Sequence, residues 1–173
     1  MNKMQLKNVR ISFPHLFKRN TKFGEDGAKF ELVVMLHKEN QAKEIKAIQA
    51  EIATLIKELG QKVASDKLCF KDGDDADRPE YEGHMVLSLK SNKRPTVIDR
   101  DKSPLVEDDG KPYAGCFCNV IFDMWKQDNS WGRRINGNLY GVQFAKDGEA
   151  FSSGDVDVTD EFDELEDEDD LLG

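Results

Sequence analysis

The sequence predicts a mainly β barrel with one amphipathic helix packed against it and a disordered acidic tail at the C-terminus. Three observations carry this reading: repeated runs in which apolar and polar residues alternate, a single stretch with helical spacing, and a last block, 155–173, with eleven acids and no Lys or Arg. The chain has 173 residues and a formal net charge of -9, yet residues 1–154 hold 25 basic against 23 acidic side chains, a net of +2. The negative total therefore describes the tail and does not exclude a polyanionic ligand for the rest. At roughly 100–200 residues per domain the length allows one domain, 1–154, with 155–173 as an appendage. A chain of this size buries enough surface to fold without disulfides or a structural metal.

Taken in order, Met4, Leu6, Val9, Ile11 and Phe13 alternate with polar residues, and the phase slips once near Lys7 and Asn8. That pattern is a strand with a bulge, which Pro14 is expected to end. Residues 15–27 are polar, include Gly24 and Gly27, and read as a loop. Residues 29–36 form a nearly continuous apolar run, as in a central strand. Ile45, Ile48, Ile52, Leu55, Ile56 and Leu59 make one apolar stripe of a helix over 41–59, with Lys57 in its last turn and Gly60 as its stop. Residues 71–82 read as a charged loop, and Met85, Leu87 and Leu89 mark a further strand. Residues 95–99 and 104–106 look like short edge segments around a charged turn.

Along 113–125 the even positions Ala114, Cys116, Cys118, Val120, Phe122 and Met124 are all apolar, so that face of a strand belongs to the core. The odd face mixes Tyr113, Phe117 and Trp125 with Gly115, Asn119, Ile121 and Asp123. A turn-rich link over 127–132 leads to a last strand, 133–145, where Asn136-Gly137 marks a turn or bend and Tyr140, Val142 and Phe144 share a face. The three cysteines, Cys69, Cys116 and Cys118, are odd in number and lack C-x-x-C spacing, so they read as reduced thiols. No run of about 18 apolar residues exists, and residues 1–10 lack the apolar centre of a secretory signal. The expected location is the cytoplasm, that of a host cell if the source is viral, with no membrane partner.

Two segments combine cations with aromatics. Residues 1–24 hold Lys3, Lys7, Arg10, Lys18, Arg19 and Lys22 among Phe13, Phe17 and Phe23 with no acid, and the second segment runs from Trp125-Lys126 to Trp131-Gly132-Arg133-Arg134. Aromatic faces that stack on bases, with cations tracking phosphates, are the chemistry of single-strand binding. The bland alternative is a solvated basic face over core phenylalanines. Trp131, between Ser130 and Gly132 in a polar turn, is harder to place in a core. The run Asp72, Asp74, Asp75, Asp77 fails the calcium-loop template, because Asp77 and Gly83 stand where it needs glycine and glutamate. His15, His37 and His84 have no zinc spacing, and no phosphate-loop, nucleophile-elbow or dinucleotide signature occurs. No catalytic residue, metal or cofactor is expected. In the tail, Phe162, Leu165, Leu171 and Leu172 interrupt the acids at spacings suited to a partner's basic, apolar groove.

The order Arg94-Pro95, Tyr113-Ala114-Gly115-Cys116, Asn119, Trp125, Leu139-Tyr140-Gly141-Val142-Gln143 and Gly148-Glu149-Ala150-Phe151 resembles a bacteriophage family of single-stranded DNA-binding proteins, formerly a domain of unknown function. The resemblance implies an OB-fold, a cleft for single-stranded DNA, no reaction, and an acidic tail like those of other replication single-strand binders; the tail is expected to compete for the basic groove and to recruit replication or recombination proteins. It departs at the terminus, where many such tails carry an aromatic residue and this one ends Asp170-Leu171-Leu172-Gly173. The expected stacking residues are Tyr113, Phe117, Trp125 and Trp131. The expected phosphate contacts are Lys18, Arg19, Lys22, Lys93, Arg94, Lys126, Arg133 and Arg134. Phe162, Leu165, Asp169, Asp170, Leu171 and Leu172 are the expected partner contacts. A metal-dependent phage nuclease and an adaptor that binds no DNA are the alternatives.

Overall fold

The computed structural model of the chain describes residues 3–151 and 159–165. Seven strands occur in the order β1 (Met4–Asn20), β2 (Lys29–His37), β3 (Phe70–Asp72), β4 (His84–Ser91), β5 (Thr96–Ile98), β6 (Phe117–Asn129) and β7 (Gly132–Lys146), with helix α1 (Ala42–Leu59) between β2 and β3. They form one sheet ordered β3-β4-β2-β1-β6-β7-β5, and a parallel pairing of β4 with β7, Lys90 opposite Asn138, closes β4, β2, β1, β6 and β7 into a five-stranded barrel. Short β3 and β5 flank the barrel as added edges.

Period-two burial explains the core. Val9, Ile11, Leu32, Val34, Leu36, Leu87, Leu89, Val120, Phe122, Ile135 and Leu139 point inward with 3% exposure or less. Cys116 and Cys118 are fully buried small hydrophobes with sulfurs 3.7 Å apart, not bonded, as the alternation required. Helix α1 packs on β6 through Ile45, Ile48, Ile52 and Leu55, and full burial of one such side chain contributes about 1.5–3 kcal/mol. Gly60 terminates it in the left-handed region, φ 70°, and its N–H caps the Ile56 and Lys57 carbonyls.

Several local expectations are corrected. Pro14 does not end β1: the strand bulges between Ser12 and His15, where a missing proline N–H costs no ladder bond, and runs on to Asn20 through the expected loop. The predicted bulge near Asn8 is present, with Asn8 at φ 54°. β6 starts at Phe117 rather than 113 and replaces the expected 127–132 link, because Asn129 pairs with Gly132 around a two-residue turn, Ser130-Trp131. Asn136-Gly137 is not a turn. Gly137 lies inside β7 where β4 approaches it, and a Cβ there would stand 2.6 Å from a Leu89 methyl and 3.0 Å from the Ser88 carbonyl. A register shift near Tyr140 then turns that residue outward while Val142 and Phe144 stay in. Residues 71–82 are not one loop, since β3 and two short helical turns occupy them.

Candidate nucleic-acid interface

The site is built where the barrel closes. β4 and β7 diverge from the Lys90–Asn138 pair, and Cys69 fills the gap, its N–H donating to Ile135 O (3.0 Å) and its O accepting from Ser88 N (2.8 Å). Burial in this seam pushes the Cys69 thiol up to about 12. Over the seam lies a groove of about 590 Å³. Its floor comes from outward-facing β7 residues Asn136 and Asn138, Trp125 of β6 stands in its wall, and its cations are Lys29, Lys67, Lys71, Lys90 and Arg134. Only alternation puts them there: Ile135, Gly137 and Leu139 face in, so residues 134, 136 and 138 face out.

Charge pairing in the groove is incomplete. Lys67 lies 3.8 Å from Asp66 and Lys90 3.7 Å from Glu31. Among the described residues Lys29, Lys71 and Arg134 have no side-chain hydrogen bond or ion pair. Two connections rise from strands that line this groove. One is 21–28 between β1 and β2, carrying Lys22 and Phe23, which is 91% exposed; the other is the Ser130-Trp131 turn, with Trp131 84% exposed. Arg19 bonds Asn92 O at 2.7 Å, and Asn92 lines the groove, so the basic hollow formed by residues 14–22 adjoins it.

The expected site residues separate into groups. Trp125 and Arg134 line the groove, and Trp131 caps the turn next to it. Lys18, 3.4 Å from Glu107, and Arg19 and Lys22 line the adjoining hollow. Lys93 and Arg94 are exposed just after Asn92, with Arg94 over the Phe17 ring at 5.5 Å. Lys126 instead reaches helix α1 and pairs with Glu58 at 2.7 Å. Arg133 bonds Lys62 O at 3.2 Å and the Gln61 side chain, tying β7 to the segment after α1.

Tyr113 and Phe117 are not brought to the groove. Phe117 is roughly 26 Å from Trp125 at ~3.3 Å per strand residue, and Lys146 lies over its ring at 4.8 Å. The Tyr113 hydroxyl bonds Asp147 at 2.8 Å, which raises its pKa. Phe162 and Leu165 are 75% and 89% exposed. Asp169, Asp170, Leu171 and Leu172 lie outside the described residues. Sequence reading missed Lys29, Lys71 and Lys90, isolated cations on three different strands that only the pairing register gathers. The Asp72 and Asp74 carboxylates hold Lys38 at 2.7 and 2.6 Å, which keeps both below the usual carboxylate range. Among the described residues no three His, Cys, Asp or Glu side chains converge as a metal site.

A barrel with its first, second and third strands antiparallel, its third and fifth parallel, and a groove on its outer face is an OB-fold, the architecture that holds oligonucleotides or oligosaccharides against that face. The chain belongs to the family described as Enterobacter phage Enc34, ssDNA-binding protein, whose pattern matches residues 2–172. That description names a binding protein, so the chain is classed with binding proteins rather than enzymes. The solved single-stranded DNA-binding protein from bacteriophage Enc34, in complex with ssDNA, is 34% identical with a TM-score of 0.80, covering 87% of this chain and 89% of that one. A curated relative, putative protein p50 of Acyrthosiphon pisum secondary endosymbiont phage 1, is 35% identical over 94% of both chains. The gp2.5 single-stranded DNA-binding protein of bacteriophage T7 is 12% identical with a TM-score of 0.57, covering 95% of this chain and 99% of that one, and shares the fold. Among the described residues no helix is long and apolar enough to cross a membrane.

Proposed function

We propose that this chain is a sequence-tolerant single-stranded DNA-binding protein of phage replication or recombination, acting in the host cytoplasm. The observation that carries this reading is the groove over the β4–β7 seam, where cations without an acidic partner flank a half-buried tryptophan on the outer face of an OB barrel. Phosphates run along Lys29, Lys71, Lys90 and Arg134 and continue past Arg19 toward Lys18, Lys22, Lys93 and Arg94. Bases stack on Trp125 and Trp131, with Phe23 opposite on the other connection. The relatives' bound or named ligand supports the choice of nucleic acid over sugar. Residues 1–154 are the DNA-binding domain. Residues 155–173 are an acidic tail that competes for the same cations and recruits a replication or recombination partner through Phe162, Leu165, Asp169, Asp170, Leu171 and Leu172.

The test is a gel shift with single- and double-stranded oligonucleotides of one sequence, with and without magnesium. Retardation of the single strand, intact in both conditions, supports the proposal. Cleavage that needs magnesium would favour a nuclease, and no retardation would favour an adaptor.

A further inference from the structure

Two hydrogen-bonded chains fix the orientation of the amides on the groove floor. The Trp131 backbone N–H can only donate, and it donates to Asn129 Oδ1 at 2.9 Å. Gln127 must therefore turn its nitrogen to the same oxygen, Nε2 at 3.2 Å, and its oxygen to Asn136, whose Nδ2 donates at 2.7 Å. At the next outward position Asn138 Nδ2 donates to Asp123 Oδ1 at 2.9 Å, and the Tyr140 hydroxyl donates to Oδ2 at 2.6 Å. Asp123, 1% exposed, is the cross-strand neighbour of Asn138 and holds this arrangement from beside it.

With their nitrogens committed to the protein, Asn136 and Asn138 have carbonyl oxygens that meet no donor among the described residues. Asn136 is left with two oxygen lone pairs against one spare N–H, and Asn138, whose side chain also hydrogen-bonds the Tyr140 hydroxyl, with a larger excess of acceptors. Phosphate oxygens, which only accept, are disfavoured over such a floor and are drawn to the cations around it. A base edge with an exocyclic amine fits. We propose that Asn136 and Asn138 form a base-edge subsite beside Trp125 that prefers amino-bearing bases, cytosine or adenine, to thymine or uracil, and that Asp123 is its positioning residue. Cytosine and adenine present N–H₂ donors where thymine presents an oxygen. This inference rests on the proposed single-strand binding and gives that binding a modest base preference.

The experiment compares oligodeoxyuridine with the same strands carrying deoxycytidine at successive positions, by competition against a labelled strand. Uracil and cytosine stack on Trp125 with nearly the same ring but differ at position 4, keto against amino, and at N3, N–H against lone pair, so cytosine offers the floor two N–H donors to uracil's one. The deoxycytidine strands should bind about two- to tenfold tighter, the worth of one net hydrogen bond. The ratio should fall in Asn136→Ala and Asn138→Ala, and also in Asp123→Asn, which lets the Asn138 amide turn over without removing a groove side chain. A purely structural role of Asp123 would change melting temperature and affinity for both strands but leave the ratio. Asn136 is away from the barrel-closing pair, so its variant serves even if the Asn138 variant folds poorly. Equal or tighter binding of deoxyuridine overturns the subsite, as does an unchanged ratio in Asn136→Ala and Asp123→Asn. Failure of every strand to bind overturns the function reading and the subsite together, whereas binding without preference overturns the subsite alone.

Discussion

Arg133 and Arg134 are adjacent in sequence and opposite in environment. Strand alternation sends one toward Gln61 and Lys62 and leaves the other in the groove with no partner among the described residues. Arg134→Ala should reduce the salt dependence of single-strand binding, by about 0.7 in the log–log slope for one lost phosphate contact. Arg133→Ala should lower the melting temperature and leave that slope alone. Salt titrations and thermal melts of the two variants separate these roles, and identical behaviour would contradict the assignment. Trp131 is 84% exposed, so Trp131→Ala should not change the melting temperature, while losing a stack should weaken binding by about 1–3 kcal/mol.

At the scale of elements, the strand seam and the β2–α1 corner are the places where sequence changes have structural consequences. Gly137→Ala places a methyl against Leu89 and the Ser88 carbonyl. Overpacking of that kind costs about 1–3 kcal/mol, so denaturant midpoints should fall and the seam should lose amide protection at Cys69 and Ser88 first. At the corner, hydrogen bonds from Lys38 lower the pKa of Asp72 and Asp74, and theirs raise Lys38. The contribution to stability is present above the ordinary carboxylate value of about 3.9 and is lost as pH falls through the depressed values. It is lost again as pH rises through the raised lysine value. Lys38→Met should therefore melt slightly lower near neutrality, with the difference from wild type closing in acid, and added salt should shrink it because these groups are exposed.

Core strands were legible because period-two alternation is a direct record of burial: the even positions from Cys116 to Met124, including both cysteines, are read correctly from spacing alone, whereas Ala114 lies ahead of β6 and is only half-buried. The helix was legible to within one residue because its stripe and its glycine stop agree. Pro14 misled because a bulge, with Phe13 at φ 47°, absorbs it, and bulges depend on the partner strand. The same limit applied to the site. Tyr113, Phe117 and Trp125 share a parity, but parity says nothing about position along a 13-residue strand, nor that Tyr113 falls before the strand begins. Lys29, Lys71 and Lys90 left no local signal, since their proximity is created by the pairing of β2, β3 and β4.

For the whole molecule, residues 1–154 carry +2 and residues 155–173 carry -11, so in the proposed reading the tail is the chain's own polyanion. A tethered competitor acts at high effective concentration, and its contacts are screened by salt. Removal of all residues after Gly154 should tighten single-strand binding at low ionic strength, with the advantage fading as salt rises, and should leave the fold intact. Equal affinities at low salt would sink the competition model and leave the tail as a solubility device or a partner tether alone. The proposed function requires occupancy of the groove over the barrel seam by a single DNA strand. Its most direct measurement is the fluorescence of Trp125 and Trp131, the only two tryptophans, during titration of the full chain with a single-stranded oligonucleotide at several salt concentrations. A saturable change is predicted, with the logarithm of the binding constant falling linearly as the logarithm of salt rises, by about 0.7 per phosphate contacted. A signal that stays flat at low salt, or an affinity that ignores salt, would contradict it.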